Sequence, residues 1–236
     1  PEKWGHWFER LVVHPEIHPY YHWFLVGEFL SLICALSNRC TRLAMLGVCF
    51  FSLNLFNLCG PISSGGTNLA SVLFVYMVFV DTSGRNSTPR NSFGSLIKVT
   101  ISNVAYIMCL IQIVFVYACA GMYKSTGELW QTGMALYYIL QHDTYAHPFT
   151  TEFVLNYPFL TSLGTHVTVL FQLLFPTLIW FQKTRPFVIA VGCMLHGFGI
   201  ALGMGLLFFG GLMCLVYGFF IEDQTAERMV RTLCFQ

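Results

Sequence analysis

From Pro186 to Ile221 the chain carries no Asp, Glu, Lys or Arg. One helix crosses the hydrocarbon core of a bilayer with about 20 apolar residues, so this stretch is too long for a single crossing. The turn is expected at Gly203-Met204-Gly205, giving spans at about 186–202 and 205–221. The same reading places earlier spans at about 23–37, ended by Ser37-Asn38-Arg39, and at 43–59, closed by Gly60-Pro61. Others fall at 67–80, closed by Asp81, at 98–122, and at 159–181, closed by Lys183 and Arg185. In lipid every backbone polar group needs an internal partner, which leaves helices or a closed barrel. The expected fold class is therefore all-α: a polytopic integral membrane helical bundle with about seven apolar spans. Hydrophobic residues make up 56% of the 236 and charged residues 10%, against roughly 25% charged in a soluble domain, so a soluble globular fold is excluded. A formal charge of +1 with no long basic stripe implies no nucleic-acid partner. The first residue is Pro1 rather than Met, and a further N-terminal span is expected before it.

Basic residues set the orientation. One side receives Arg39, Arg42, Arg85, Arg90, Lys98, Lys183, Arg185, Arg228 and Arg231. The other receives Lys124 with Glu128, Asp143 and Glu152. Lys and Arg concentrate in cytoplasmic loops, so the first side is cytoplasmic. The chain is then an extracytoplasmic interfacial segment 1–22, a transmembrane domain 23–221 with an extracytoplasmic loop 123–158, and a cytoplasmic tail 222–236. The Asn86-Ser87-Thr88 sequon falls on the cytoplasmic side and is read as chance. Trp130 to Leu140 mixes aromatic, apolar and polar residues, as a helix lying at the interface does.

Ionisable groups inside apolar spans are costly and are functional candidates for that reason. Glu28, His166 and His196 each lie several residues in from the outer ends of their spans, roughly 8–10 Å deep at ~1.5 Å per residue. Lys124 ends its span on the same side, and Asn54, Asn57 and Asn68 share that outer half. Together they describe a polar cavity open to the outside, at least two of its four ionisable members lining one space. The competing reading is interhelical hydrogen bonding with no chemistry, and Gln112, Gln172 and Asn103 are assigned to it as lying elsewhere. His14, His18 and His22 have helical spacing for a metal, but Pro15 and Pro19 interrupt the helix, so no metal site is expected. The nine Cys form no C-x-x-C and are read as small core hydrophobes. Nucleotide, zinc-protease and serine-hydrolase motifs are missing from the sequence.

Three stretches resemble the horizontally transferred transmembrane (HTTM) domain, the membrane region of the vitamin K-dependent gamma-carboxylase family, which includes bacterial sporulation-delaying protein B-like proteins. The first is Arg39-Cys-Thr-Arg-Leu-Ala-Met-Leu-Gly followed, after a span, by Ser64-Gly-Gly-Thr-Asn-Leu69. The second is Val116-Tyr117-x-x-Ala120-Gly121-x-x-Lys124, then Trp130-x-x-Gly133-x-Ala135-x-x-Tyr138. The third runs from Arg185-Pro186 through Leu195-His196-x-x-x-Ile200 to Gly205-Leu-Leu-Phe208-Phe209. The resemblance implies that Lys124 is the base that deprotonates a reduced quinone or vitamin K hydroquinone. It makes His196, His166 and Glu28 the accompanying catalytic candidates and Trp130, Tyr117 and Asn68 the cofactor-binding ones. A lysine desolvated at an apolar boundary more readily gives up its proton, so the role is chemically sensible.

The sequence also departs from the pattern. Thr67 or Asn68 stands where the family has an acid after Gly-Gly, and Gly66 to Asn68 stand where the carboxylases carry a catalytic histidine. One extra residue separates Lys124 from Trp130. The sequence ends at Gln236, so the family's large lumenal substrate-binding domain is not expected. Two functions follow. One is a non-catalytic or accessory subunit in a membrane assembly, with lipid, other membrane subunits or an exported peptide as partner. The alternative is a quinol-dependent, carboxylase-like enzyme using Lys124.

Overall fold

The computed structural model describes residues 21–37, 41–58, 65–81, 93–143 and 145–221. Residues 1–20 with His14 and His18, the 82–92 stretch with the Asn86 sequon, the Gly60-Pro61 closure and the tail 222–236 lie outside the described residues. Every regular element among the described residues is helical. In order they are α1 (Tyr21–Leu36), α2 (Thr41–Leu58), α3 (Gly65–Met77), α4 (Phe93–Ser125), α5 (Glu128–Gln131), α6 (Ala135–Leu140), α7 (Pro148–Leu155), α8 (Pro158–Leu178) and α9 (Arg185–Cys193). A π-helical segment, Met194–Leu202, continues α9, and α10 (Leu207–Val216) ends in a 3-10 turn, Tyr217–Phe220.

Helices coincide with each expected span, but among the described residues three are long and apolar enough to cross a membrane: Phe93–Ser125, Pro158–Leu178 and Arg185–Leu202. The helices Tyr21–Leu36, Thr41–Phe56 and Leu207–Phe220 are apolar but shorter. The stretch from Pro186 to Ile221 breaks where the glycines stand: Gly205 has φ +71°, a left-handed conformation open to glycine at no steric cost, and α10 restarts at Leu207. Pro158 and Pro186 sit in the first turns of α8 and α9, where a missing N–H costs no helical bond.

The chain divides into two compact units, Pro1–Cys109 and Leu110–Gln236, with α4 running through both. In the first, α1 packs on α2, where the Ser52 hydroxyl donates to Glu28 Oε1 at 2.5 Å, and α2 packs on α3. Past the end of α3, Asp81 meets Lys98 on α4 at 2.8 Å, and its N–H donates to Ser102 Oγ.

In the second unit, α4 and α8 approach closely. A Cβ on Gly121 would lie 3.0 Å from the backbone of Gln172 and Leu173. Gln172 is about four turns along α8 from Pro158. Since α4 ends at Ser125, one turn past Gly121, it stops well short of the start of α8. The short helices fill the remainder: α5, α6 and α7 all pack against α8, with the Leu136 N–H donating to Thr165 Oγ1 at 3.0 Å. At the other end the Arg185 guanidinium donates to the Ile179 and Trp180 carbonyls, satisfying groups that the end of α8 leaves without helical partners.

Replacing Gly121 with Leu should destabilise the protein by about 1–3 kcal/mol, the usual cost of overpacking. Gly211→Ala, where nothing lies within 4 Å of the added atom, should leave the unfolding midpoint in detergent nearly unchanged.

Candidate functional site

The Ala120-Gly121 pair has a geometric purpose. By letting α4 lie against the backbone of α8, it brings the side chain three residues on, Lys124, onto Gln172, whose Oε1 accepts from Nζ at 3.0 Å. The chain then folds back over the amine. Gly127 N–H donates to the Lys124 carbonyl, Trp130 N–H donates to the Gly127 carbonyl, and the Trp130 ring comes to rest with its centroid 5.1 Å from Nζ. That distance is within cation–π range. Gln131 Nε2 donates to the Ser125 carbonyl and so caps the end of α4. Among the described residues no carboxylate pairs with Lys124; its partners are a neutral amide and an aromatic face.

Two turns back along α4 lies Tyr117, 1% exposed, stacked on Phe175 with centroids 4.1 Å apart. Its hydroxyl is 2.6 Å from that of Tyr217, equally buried. Tyr217 Oη is in turn 3.0 Å from Nδ1 of His196, which also lies 3.0 Å from the Gly192 carbonyl. Gly192 is what admits Tyr217: a Cβ there would overlap the tyrosine ring. The His196 ring, 5% exposed, is ringed by Tyr117, Phe171, Phe209 and Tyr217 at 6.0–6.4 Å. His196 sits in the π segment, where i→i+5 bonding often marks functional positions.

The structure therefore brings Lys124, Trp130, Tyr117 and His196 into one region of the second unit. His166 is not part of it. The ring is exposed, its Nδ1 lies 2.8 Å from the Ser162 carbonyl, and its Nε2 lies 3.4 Å from the Gln131 carbonyl, so it straps the α5–α6 turn to α8. Glu28 lies in the first unit, engaged by Ser52, and Asn68 is exposed on α3 beside buried Thr67. Depth along α8 separates what the sequence put at one level: Gln172, the residue Lys124 reaches, is well over a turn beyond His166. Gln172 hydrogen-bonds across helices as expected of it, but the partner it takes is Lys124, so it lies at the site rather than elsewhere. Tyr217 carried no sequence signal at all, being one aromatic residue in an apolar run.

An apolar cleft of about 170 Å³ opens between α8 and α9, bounded by Val167, Phe171, Phe175, Phe187 and Val191 among others. None of Lys124, His166 and His196 lines it, although Phe171 belongs both to its wall and to the surround of His196. Among the described residues no group of three His, Cys, Asp or Glu is placed to hold a metal ion.

The profile of the HTTM domain matches residues 66–223, about two thirds of the chain. The chain belongs to the HTTM family. No curated protein and no solved structure matches it. All of the Lys124 and His196 machinery falls inside the HTTM match, whereas Glu28 and the α1–α2 pair precede it.

Gln172→Leu should destabilise the protein by about 1–2 kcal/mol by leaving a half-buried ammonium without its acceptor. Lys124→Met in the same background should recover most of that loss. Unfolding of the two single variants and the double variant in detergent measures the coupling.

Proposed function

We propose that this HTTM protein is an integral membrane protein of about seven spans that serves as a non-catalytic, accessory component of a membrane assembly. It would hold a lipid, a quinone or a partner helix, or assist the maturation of an exported peptide. One observation carries the reading. The Lys124 amine is engaged by Gln172 and Trp130, while the cleft able to take an apolar body lies against α8 and α9 without Lys124 in its wall. Gly66, Thr67 and Asn68 also supply no general base where the carboxylases carry histidine. With benzoylphenylalanine in place of exposed, cleft-lining Phe187, irradiation of native membranes should give adducts with lipid or with another membrane protein. Irradiation that gives no adduct would count against the proposal.

The enzymatic alternative has its own support. A lysine partnered by a neutral amide can lose its proton without breaking an ion pair. Under that reading Lys124 deprotonates a reduced quinone, with Trp130 over the amine and Tyr117 two turns back along α4. Purified protein in lipid, given vitamin K hydroquinone, oxygen, carbon dioxide and a glutamyl peptide, should form neither epoxide nor carboxyglutamate. Product that disappears in Lys124→Ala would overturn the accessory reading.

For topology, we propose that the 123–158 loop is extracytoplasmic, as the distribution of Lys and Arg supports. A membrane-impermeant thiol reagent added outside should label Thr126→Cys and fail to label Thr184→Cys. The reverse pattern would invert the assignment.

A further inference from the structure

Cys193 ends α9 and Cys214 stands on α10, one turn before Tyr217. Glycines set how these elements meet. Gly192 faces the Tyr217 ring, Gly197 lies beside Cys214 Sγ, and Gly210 lies against the His196 carbonyl and Ala201, so the two run antiparallel. Small residues at such positions let helices approach closely in lipid. The approach brings two thiols together. Cys214 Sγ lies 3.9 Å from the Cys193 carbonyl, and its thiol hydrogen-bonds with the Cys193 thiol. Both cysteines are free, and both are partly exposed rather than enclosed as core residues are. No Asp, Glu, Lys or Arg occurs between Pro186 and Ile221, and Cys193 is about 12 Å along its helix from Arg185 at ~1.5 Å per residue. The hydrocarbon layer is about 30 Å thick, so a reagent has to dissolve in lipid to reach the pair.

The structure assigns Cys193 and Cys214 as a redox modification site: a dithiol that an apolar disulfide converts into an intramolecular disulfide joining α9 to α10. In the first step one protein thiol attacks the reagent disulfide. A mixed disulfide forms, and the other reagent sulfur leaves with the bond's electron pair and the thiol proton, as a thiol. In the second step the remaining protein thiol attacks the mixed disulfide at the protein sulfur. The protein S–S bond forms, and the second reagent sulfur leaves as a thiol in the same way. The protein has lost two electrons and two protons, and the reagent disulfide has gained them as two thiols. Because the thiols already touch, the second step is intramolecular and fast, so a mixed disulfide at either cysteine is short-lived. The inference is independent of the ligand proposed for the cleft, because neither cysteine lines it.

The test treats the full chain in lipid nanodiscs with 4,4′-dithiodipyridine, an apolar disulfide, followed by alkylation, digestion and peptide mass mapping. The expected product is a pair of peptides joined through Cys193 and Cys214, two hydrogens lighter than the separate thiol peptides, with no pyridylthio group on either. Stable pyridylthio groups on both cysteines, two thiols left free, or bridges from either one to a different cysteine would overturn the assignment. In Cys214→Ser the pyridylthio group should persist on Cys193, and in Cys193→Ser it should persist on Cys214. Either variant is sufficient where the other does not fold. A group lost from the single variants as fast as from the parent would overturn the pairing. The doubly charged 5,5′-dithiobis(2-nitrobenzoate) should form the bridge about ten-fold more slowly or less, since charge is excluded from hydrocarbon. Equal rates with the two reagents would overturn the assignment of an apolar oxidant.

Discussion

In the second unit the backbone of α8 comes within contact of α4 at Gly121, and the side chains of the candidate site follow from that approach. Two long helices in lipid gain little from hydrophobic exclusion, because the lipid is as apolar as their side chains; small residues that allow close packing do the work instead. At Gly121 this packing has a second effect. It fixes the register of α4 against α8, so that Tyr117 stacks on Phe175 and Lys124 reaches Gln172. A bulkier residue would separate the helices and lose both contacts together.

The short helices α5 to α7 follow from the same register. Because α4 ends well before the start of α8, a length of α8 would be left bare along its inner face. The segment between them covers that length through Leu136 and Thr165, and through His166 at the α5–α6 turn. The position of Trp130 over the lysine is thus a product of helix length as much as of motif.

The positions of the helices could be read from the sequence, because uncharged runs and glycine turns register directly in one dimension; the break between Leu202 and Leu207 is the plainest case. Lys124 stands out through the resemblance, as a lysine after Ala-Gly at the end of a long apolar run, although an interfacial lysine reaching water gives the same pattern. Gln172 and Tyr217 could not be read. Each is one residue in an apolar stretch, and its role comes from a partner 48 or 100 positions away. His166 and His196 look alike in sequence, each a single histidine several residues inside a span, and only packing separates the exposed strap from the buried ring.

The π segment bearing His196 has a mechanical consequence. A helix bonded i→i+5 carries surplus residues in its turns, and a surplus can travel along the chain while both ends stay in place. Sliding it past His196 by one residue would swing the imidazole about 100° around the helix axis, the angle between neighbours in an α-helix. Nδ1 would leave Tyr217, and α10, whose Gly210 backbone lies against the His196 carbonyl, would feel the shift. The length of this track is set by the α-helical turns before Cys193 and the left-handed stop at Gly205. The π segment thus places His196 where a one-residue shift in the bonding pattern would change which neighbours its ring meets.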